Sequence, residues 1–340
     1  MSKVWNVAVL GATGLVGETL LTVLEERKFP VGELFPLASE RSLGKQVQFR
    51  GRALPAIDAA SFDFSRAQIG LFSAGGAVSE KYAPLAAAAD CVVIDNTAHF
   101  RYDADVPLVV PEVNAAAIAQ YRQRRIIANP NCSTIQLVVA LKPIHDAVGI
   151  ERINVATYQS VSGAGRQAVE ELAEQTAQLL NGRKVKAKIL PRQIAFNCLP
   201  QIDKFMDNGY TKEEMKMHWE TQKIFGDPTI RVNATAVRVP VFFGHSEAVH
   251  IETRRKITAA EARALLARAP GVKVMDERVP GGYPTAVTEA ANHDTVYVGR
   301  IRDDMSHERG LNLWIVADNI RKGAATNAVQ IAEILVREYL

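Results

Sequence analysis

The chain has 340 residues, 48% of them hydrophobic and 23% charged, with 40 basic side chains against 37 acidic ones. That length accommodates two domains, and so even a charge balance argues against nucleic acid or a membrane surface as partner while leaving room for pockets that bind small anions. The three cysteines, Cys91, Cys132 and Cys198, form no CxxC pair, which excludes a disulfide framework or zinc ribbon and points to a reducing, cytoplasmic setting. With no basic n-region and no apolar run of about 18 residues, neither a targeting segment nor a membrane span is expected.

Val4–Leu10 is an apolar run of parallel-strand length, and it leads into Gly11-Ala12-Thr13-Gly14-Leu15-Val16-Gly17. A strand, glycines in GxxGxxG spacing and an amphipathic helix from Leu15 together form a dinucleotide-binding turn, with pyrophosphate at the helix N-terminus. The next apolar segment, Leu34–Ala38, ends in Ser39-Glu40-Arg41-Ser42. Hydroxyls and an arginine there suit the 2′-phosphate of NADP, whereas an inward Glu40 would favour NAD. Ile69–Phe72 is a further buried strand, followed by the small-residue stretch Ser73–Ser79 and an alanine-rich helix. Cys91–Asp95 reads as another strand, with Cys91 as packing. Arg101, in the loop beyond it, lies where parallel sheets collect ligands, and an arginine there is either solvated or an anion ligand.

The run Ala128-Asn129-Pro130-Asn131-Cys132-Ser133-Thr134 separates the strand-like Arg125-Ile126-Ile127 from a helical pattern. It places Cys132 in a first helical turn, where free N–H groups and the helix dipole favour a thiolate. Ile153–Val161 alternates apolar and polar residues, as expected of a half-buried strand in a second, mixed or antiparallel sheet, so a domain boundary falls near 130. Ser162-Gly163-Ala164-Gly165-Arg166 is a second glycine-rich loop before a helix over 167–180. Residues 183–207 read as irregular, with Cys198 as packing. Lys212–Phe225 is helical, and Glu213 and Lys216, one turn apart, are by spacing alone an ion pair on a solvated face. Val237–Val241 and Ser246–Glu252 read as strands, with His245 in the turn between them. His250 faces away from it, so a shared metal ion is disfavoured. Val296–Ile301 and Leu311–Ala317 are strands, and an amphipathic helix closes the chain.

GATGLVG at 11–17, FR at 100–101, DVPLVVPEVN at 105–114, NPNCST at 129–134, YQSVSGAGRQA at 158–168, RVPVFFGHSE at 238–247 and DNIRKGAATNA at 318–328 occur in this order. Together they resemble the aspartate-semialdehyde dehydrogenase family over essentially the whole chain. The resemblance implies an α/β protein: an N-terminal Rossmann dinucleotide-binding domain (1–130 and 319–340) plus an α+β catalytic and dimerisation domain with a mixed sheet (131–318), active as a homodimer. It implies Cys132 as nucleophile toward aspartate 4-semialdehyde, His245 as acid/base and Gln159 as the residue orienting the reacting group. Arg238 and Glu213 would hold the substrate carboxylate and ammonium, and Arg101, Asn131 and Lys216 the phosphate. Gly11, Thr13, Gly14, Leu15, Val16, Ser39, Arg41, Ser42, Ser73, Ser162, Gly163 and Asn319 would hold NADP. Two readings compete. An N-acetyl-γ-glutamyl-phosphate reductase shares the thioester chemistry, but its acylated substrate has no ammonium for Glu213. A non-catalytic paralogue would have no need of Cys132, Gln159, Arg238 and His245 together.

Overall fold

The computed structural model describes residues 3–340, the Arg41 side chain excepted. Two compact units divide the chain: one runs to Asn131 and resumes at Ala324–Leu340, and the other is Cys132–Gly323.

In the first unit, β1 (Trp5–Leu10), α1 (Leu15–Glu26) and β2 (Val31–Ala38) are followed by short strands β3 (Gln46–Phe49), β4 (Arg52–Pro55) and β5 (Ile57–Asp58). Then come β6 (Ile69–Phe72), α2 (Gly76–Ala88), β7 (Val92–Asp95), α3 (Pro111–Asn114) and β8 (Ile126–Ala128). A six-stranded sheet in the order β5-β2-β1-β6-β7-β8 is parallel throughout. The chain leaves β1 on one side and later returns on its other side, so the carboxyl ends of β1 and β6 flank the crevice where such sheets take ligands. Leu20, Leu21 and Leu24 of α1 pack on Val7, Val9 and Ile69 of the sheet. The C-terminal helix Thr326–Glu338 adds Val329, Ile331 and Leu335 to that core, each such side chain contributing about 1.5–3 kcal/mol by its burial.

The second unit contains α4 (Cys132–Val148), β9 (Ile150–Gln159), α5 (Arg166–Leu180), α6 (Lys212–Phe225), β10 (Arg231–Arg238) and β11 (His245–Thr253). It continues with α7 (Ala259–Leu266), β12 (Val272–Val274), β13 (Val296–Asp303) and β14 (Gly310–Ala317). The sheet order is β10-β9-β11-β14-β13-β12, mixed in direction: β10 is parallel to β9, and β11 antiparallel to both β9 and β14. Side chains alternate by the two-residue period of a strand. Val155, Thr157 and Gln159 point inward beneath the helices, while Tyr158 is exposed on the other face. Among the described residues no helix is long and apolar enough to cross a membrane.

Three local expectations fail. The strand expected over Val237–Val241 is β10, which ends at Arg238, because Pro240 cannot donate to a ladder. His245 is not in a turn but is the first residue of β11 and fully buried, because the chain turns earlier, at Gly244 (φ 85°). Cys198 is exposed rather than packed: its own N–H is held by the Asn197 side chain, and the residue that docks there is Leu199, paired with Arg238.

Candidate active site

In the first unit the nucleotide turn is built on two glycines that tolerate no side chain. Gly11 has φ 88°, and a Cβ on it would lie 3.0 Å from Ala74 N; a Cβ on Gly17 would fall 2.1 Å from the Gly11 carbonyl oxygen. Gly17 therefore lets α1 sit against the turn. Gly14 caps α1 with no side-chain hydrogen bond and is exposed, and Thr13, Leu15 and Val16 are half-buried around it, so the first N–H groups of the helix remain available to an anion. This arrangement fits a dinucleotide pyrophosphate. Ser73, at the end of β6, donates through its hydroxyl to the Leu10 carbonyl at 3.2 Å, closing the floor of the crevice. Ser39, Glu40 and Ser42 form a single turn beyond β2, where Ser39 and Glu40 are exposed; Arg41 belongs to that turn, and its side chain lies outside the described residues.

Arg101 is buried yet charged, and it is held by backbone oxygens: Nε donates to Asn129 O at 2.9 Å and Nη2 to Asn96 O at 2.8 Å. Asp95 secures that loop by accepting from Ser79 Oγ, Thr97 N and Thr97 Oγ1 at 2.8, 3.0 and 2.8 Å. Asn131 is likewise buried, at the end of this unit.

The second unit opens with Cys132 as the first residue of α4, half-buried at the positive end of a 17-residue helix. Gln159 and Arg238 end the parallel pair β9 and β10 directly opposite one another, and His245 starts the adjoining antiparallel β11. Three strand ends thus deliver three polar side chains to one end of the sheet. Gln159 accepts from Thr157 Oγ1 (3.0 Å) through Oε1 and donates to Glu213 Oε1 (3.1 Å) through Nε2. Lys216 pairs with Glu213 at 2.8 Å and with Asp203 at 2.9 Å. The ion pair expected from spacing is present, but Glu213 is buried and bonded to Gln159 and Lys216 is half-buried, so the pair does not lie on a solvated face. Burial opposes the Lys216 charge, and the Glu213 and Asp203 carboxylates outweigh it, raising the ammonium above its ordinary value.

Arg238 donates from Nη1 to the Ser160 carbonyl at 2.8 Å. Burial lowers it from the usual guanidinium value, against the Glu213 and Cys132 charges, which act the other way. A Cβ at Gly163 would lie 2.9 Å from Arg238 Nη1 and 3.4 Å from His245 Nε2, so this position is kept open between the two side chains.

His245 Nδ1 accepts the Ser160 N–H at 3.1 Å, which leaves the proton of the neutral ring on Nε2. Nε2 lies 3.3 Å from Gln159 Nε2; two N–H groups converge there, and an oxygen between them would accept from both. Burial, followed by the neighbouring Arg238 charge, pushes the ring down to about 3, so it is neutral across the physiological range. Asn319 is turned inward: its Oδ1 accepts from Ser160 Oγ, Ser162 Oγ and Gly244 N at 3.0, 3.2 and 2.9 Å. It joins the glycine loop to the start of β11.

Cys132, Gln159, Glu213, Lys216, Arg238, His245, Ser162, Gly163 and Asn319 all belong to the second unit, and the remaining sequence-predicted positions to the first. Sequence reasoning missed Ser160, which fixes the histidine tautomer, and Thr157, which fixes the glutamine. The Ser160 partner is 85 residues away, and Thr157, two residues before Gln159, is an ordinary strand residue in type.

Family models match both parts of the chain: "semialdehyde dehydrogenase, NAD binding domain" over residues 6–121 and "semialdehyde dehydrogenase, dimerisation domain" over residues 141–322. The chain is 64% identical to an aspartate-semialdehyde dehydrogenase of Shewanella violacea, with all of both chains covered. It is 65% identical to one from Legionella pneumophila, covering all of this chain and 98% of that one. A crystal structure of aspartate semialdehyde dehydrogenase II from Vibrio cholerae, complexed with ASA, superposes with a TM-score of 0.98 at 63% identity over the whole of both chains. The first unit is accordingly built for a nicotinamide dinucleotide, and the chain belongs to the aspartate-semialdehyde dehydrogenase family.

Proposed function

We propose that the chain catalyses the reversible, NADP-dependent, phosphorylating oxidation of L-aspartate 4-semialdehyde to 4-aspartyl phosphate, a step toward lysine, methionine and threonine. The observation that carries this reading is the buried cluster of Gln159, Glu213, Arg238 and His245 at one end of the second sheet, in the unit that Cys132 opens.

The Cys132 thiolate attacks the aldehyde carbon, forming the C–S bond and moving the carbonyl pair onto oxygen. That oxyanion accepts hydrogen bonds from His245 Nε2–H and the Gln159 carboxamide. Proton exchange with the reacting oxygen runs through Nε2, because Nδ1 is taken by the Ser160 N–H. A bound nicotinamide supplies the hydride acceptor that turns the hemithioacetal into a thioester. Arg238 grips the α-carboxylate by paired hydrogen bonds, and Glu213 receives the α-ammonium. Arg101, Asn131 and Lys216 bind phosphate, whose oxygen attacks the thioester carbon and expels the Cys132 thiolate. Ser39, Arg41 and Ser42 read the 2′-phosphate, and Gly11, Thr13, Gly14, Leu15, Val16, Ser73, Ser162, Gly163 and Asn319 complete the cofactor site, Asn319 by holding Ser162 and Gly244 in place. The first unit serves the nucleotide, the second catalysis and homodimer formation, and the enzyme works in the cytoplasm.

The test is a phosphate-dependent assay with aspartate semialdehyde, run with NADP and NAD on the wild type and on Cys132→Ala. Turnover with NADP exceeding that with NAD, abolished by the substitution while NADP still binds, is the expected result. Activity only with the N-acetylated γ-semialdehyde of glutamate, or phosphate-dependent turnover surviving in Cys132→Ala, overturns the reading.

A further inference from the structure

Beneath the reactive cluster lies a titratable side chain that the mechanism above does not use. Glu247 follows His245 by two residues on β11 and so shares its face of the strand, the face covered by α4. It is fully buried, and among the described residues neither carboxyl oxygen has a hydrogen-bond partner. Its sheet neighbours at this register are Thr157 and Ile315. Gln136 stands one turn beyond Cys132 on the same side of α4 and is also buried. Its amide nitrogen reaches the His245 carbonyl oxygen at 3.5 Å, while its amide oxygen receives no donor. Gln136 is also the polar side chain close enough to Glu247 to be felt by it, although no hydrogen bond of good geometry joins that amide nitrogen to the carboxyl oxygens.

Three acceptor atoms, two on Glu247 and one on Gln136, therefore share the space between α4 and β11 without a donor. An ionised Glu247 leaves all three unsatisfied and adds an uncompensated buried charge. A proton on Glu247 removes the charge and supplies the missing donor to Gln136 Oε1.

We propose that Glu247 is a neutral carboxylic acid that donates to the Gln136 amide oxygen and, through Gln136, ties the helix bearing Cys132 to the strand bearing His245. It is a positioning residue: the chain Glu247 O–H to Gln136, then Gln136 N–H to the His245 carbonyl, sets how far the nucleophile's helix stands from the histidine. Burial holds the carboxyl well above the usual carboxylate range, in keeping with this state. The role rests on the reading of Cys132 and His245 given under Proposed function; the protonation state does not.

Two variants and one spectrum test it. Glu247→Leu removes the donor and fills the space, and misplacing reacting groups in this way lowers kcat by about tenfold to a hundredfold with little change in KM or NADP affinity. Glu247→Gln restores an N–H donor and recovers most of that loss. At neutral pH the infrared spectrum of the wild type contains the carbonyl stretch of a protonated carboxylic acid that Glu247→Gln lacks. Wild-type kcat in a folded Glu247→Leu, equal impairment of the two variants, or absence of the infrared difference overturns the proposal. If Glu247→Leu fails to fold, as judged by near-UV circular dichroism, the infrared comparison with Glu247→Gln decides alone. A wild type inactive on aspartate semialdehyde would count against the functional reading, and the infrared difference would still report on Glu247.

Discussion

At the scale of single residues, the site depends on space as much as on charge. The Gly163 position faces Arg238 Nη1 and His245 Nε2 at distances that a methyl group would close. Arg238 is buried and bonded to the Ser160 carbonyl, so it cannot swing aside freely. Gly163→Ala is expected to lower kcat/KM for the semialdehyde by about tenfold, or about 1.4 kcal/mol of transition-state binding, mostly as raised KM. Steady-state kinetics beside a melting curve checks this, and the curve should barely move. His245 offers a second measurement. Its ring sits at about 3 in the folded chain against 6.5 as the ordinary value. Between those values the unfolded chain binds a proton that the folded chain refuses. The stabilisation from keeping this ring neutral is therefore complete above pH 6.5 and is lost as the pH falls toward 3, by up to about 1.4 kcal/mol per pH unit. Urea midpoints at pH 4, 5, 6 and 7 should fall less steeply on acidification in His245→Gln than in the wild type.

At the scale of elements, α6 is held in place by its cap rather than by the ion pair it carries. Thr211 and Glu214 form a capping box, with Thr211 N donating to Glu214 Oε2 at 2.7 Å. The other carboxylate oxygen of Glu214 accepts Ala236 N of β10 at 2.9 Å. One side chain therefore fixes the start of the helix bearing Glu213 and Lys216 against the strand that ends in Arg238. Glu214→Ala strands two buried backbone donors and should cost about 2–4 kcal/mol in chemical denaturation, most of it restored by Glu214→Gln. Elements such as α6 and the β1–α1 turn were legible in the sequence because their signals are local: a helical run, a glycine spacing, an apolar period. The burial of His245 was not, since its flanking Gly244 and Ser246 look like turn chemistry and its partner Ser160, just past the end of β9, is 85 residues away. Cys198 was misread for the same reason, because only the pairing of Leu199 with Arg238 decides which residue of that loop turns inward. The resemblance to a family pointed to candidate reactive residues but not to Thr157, Ser160 or Gln136, which show themselves only by what their side chains or backbone touch in the fold.

At the scale of the whole molecule, the second sheet buries one face under its helices and leaves the other with Ala156, Tyr158, Ala248 and Trp314 side by side, Tyr158 stacking obliquely on Trp314 at 5.5 Å. We expect this open face to carry the homodimer contact, since the matched dimerisation model covers it. Ala248→Arg, which places a charge at its centre, should shift the protein from dimer to monomer at micromolar concentration in sedimentation velocity; an unchanged dimer would place the contact elsewhere.

The second unit begins at Cys132 and ends at Gly323, and a Cβ on Gly323 would lie 2.8 Å from the Cys132 Cβ. Its first and last residues thus touch, which makes 132–323 a closed cassette in the order of the chain, with both ends at one place. For anyone exchanging cassettes between relatives to change the aldehyde accepted, the first junction is also the residue proposed above as nucleophile. The cuts belong before Cys132 and after Gly323, and a graft that brings any larger residue to position 323 would press on the Cys132 side chain.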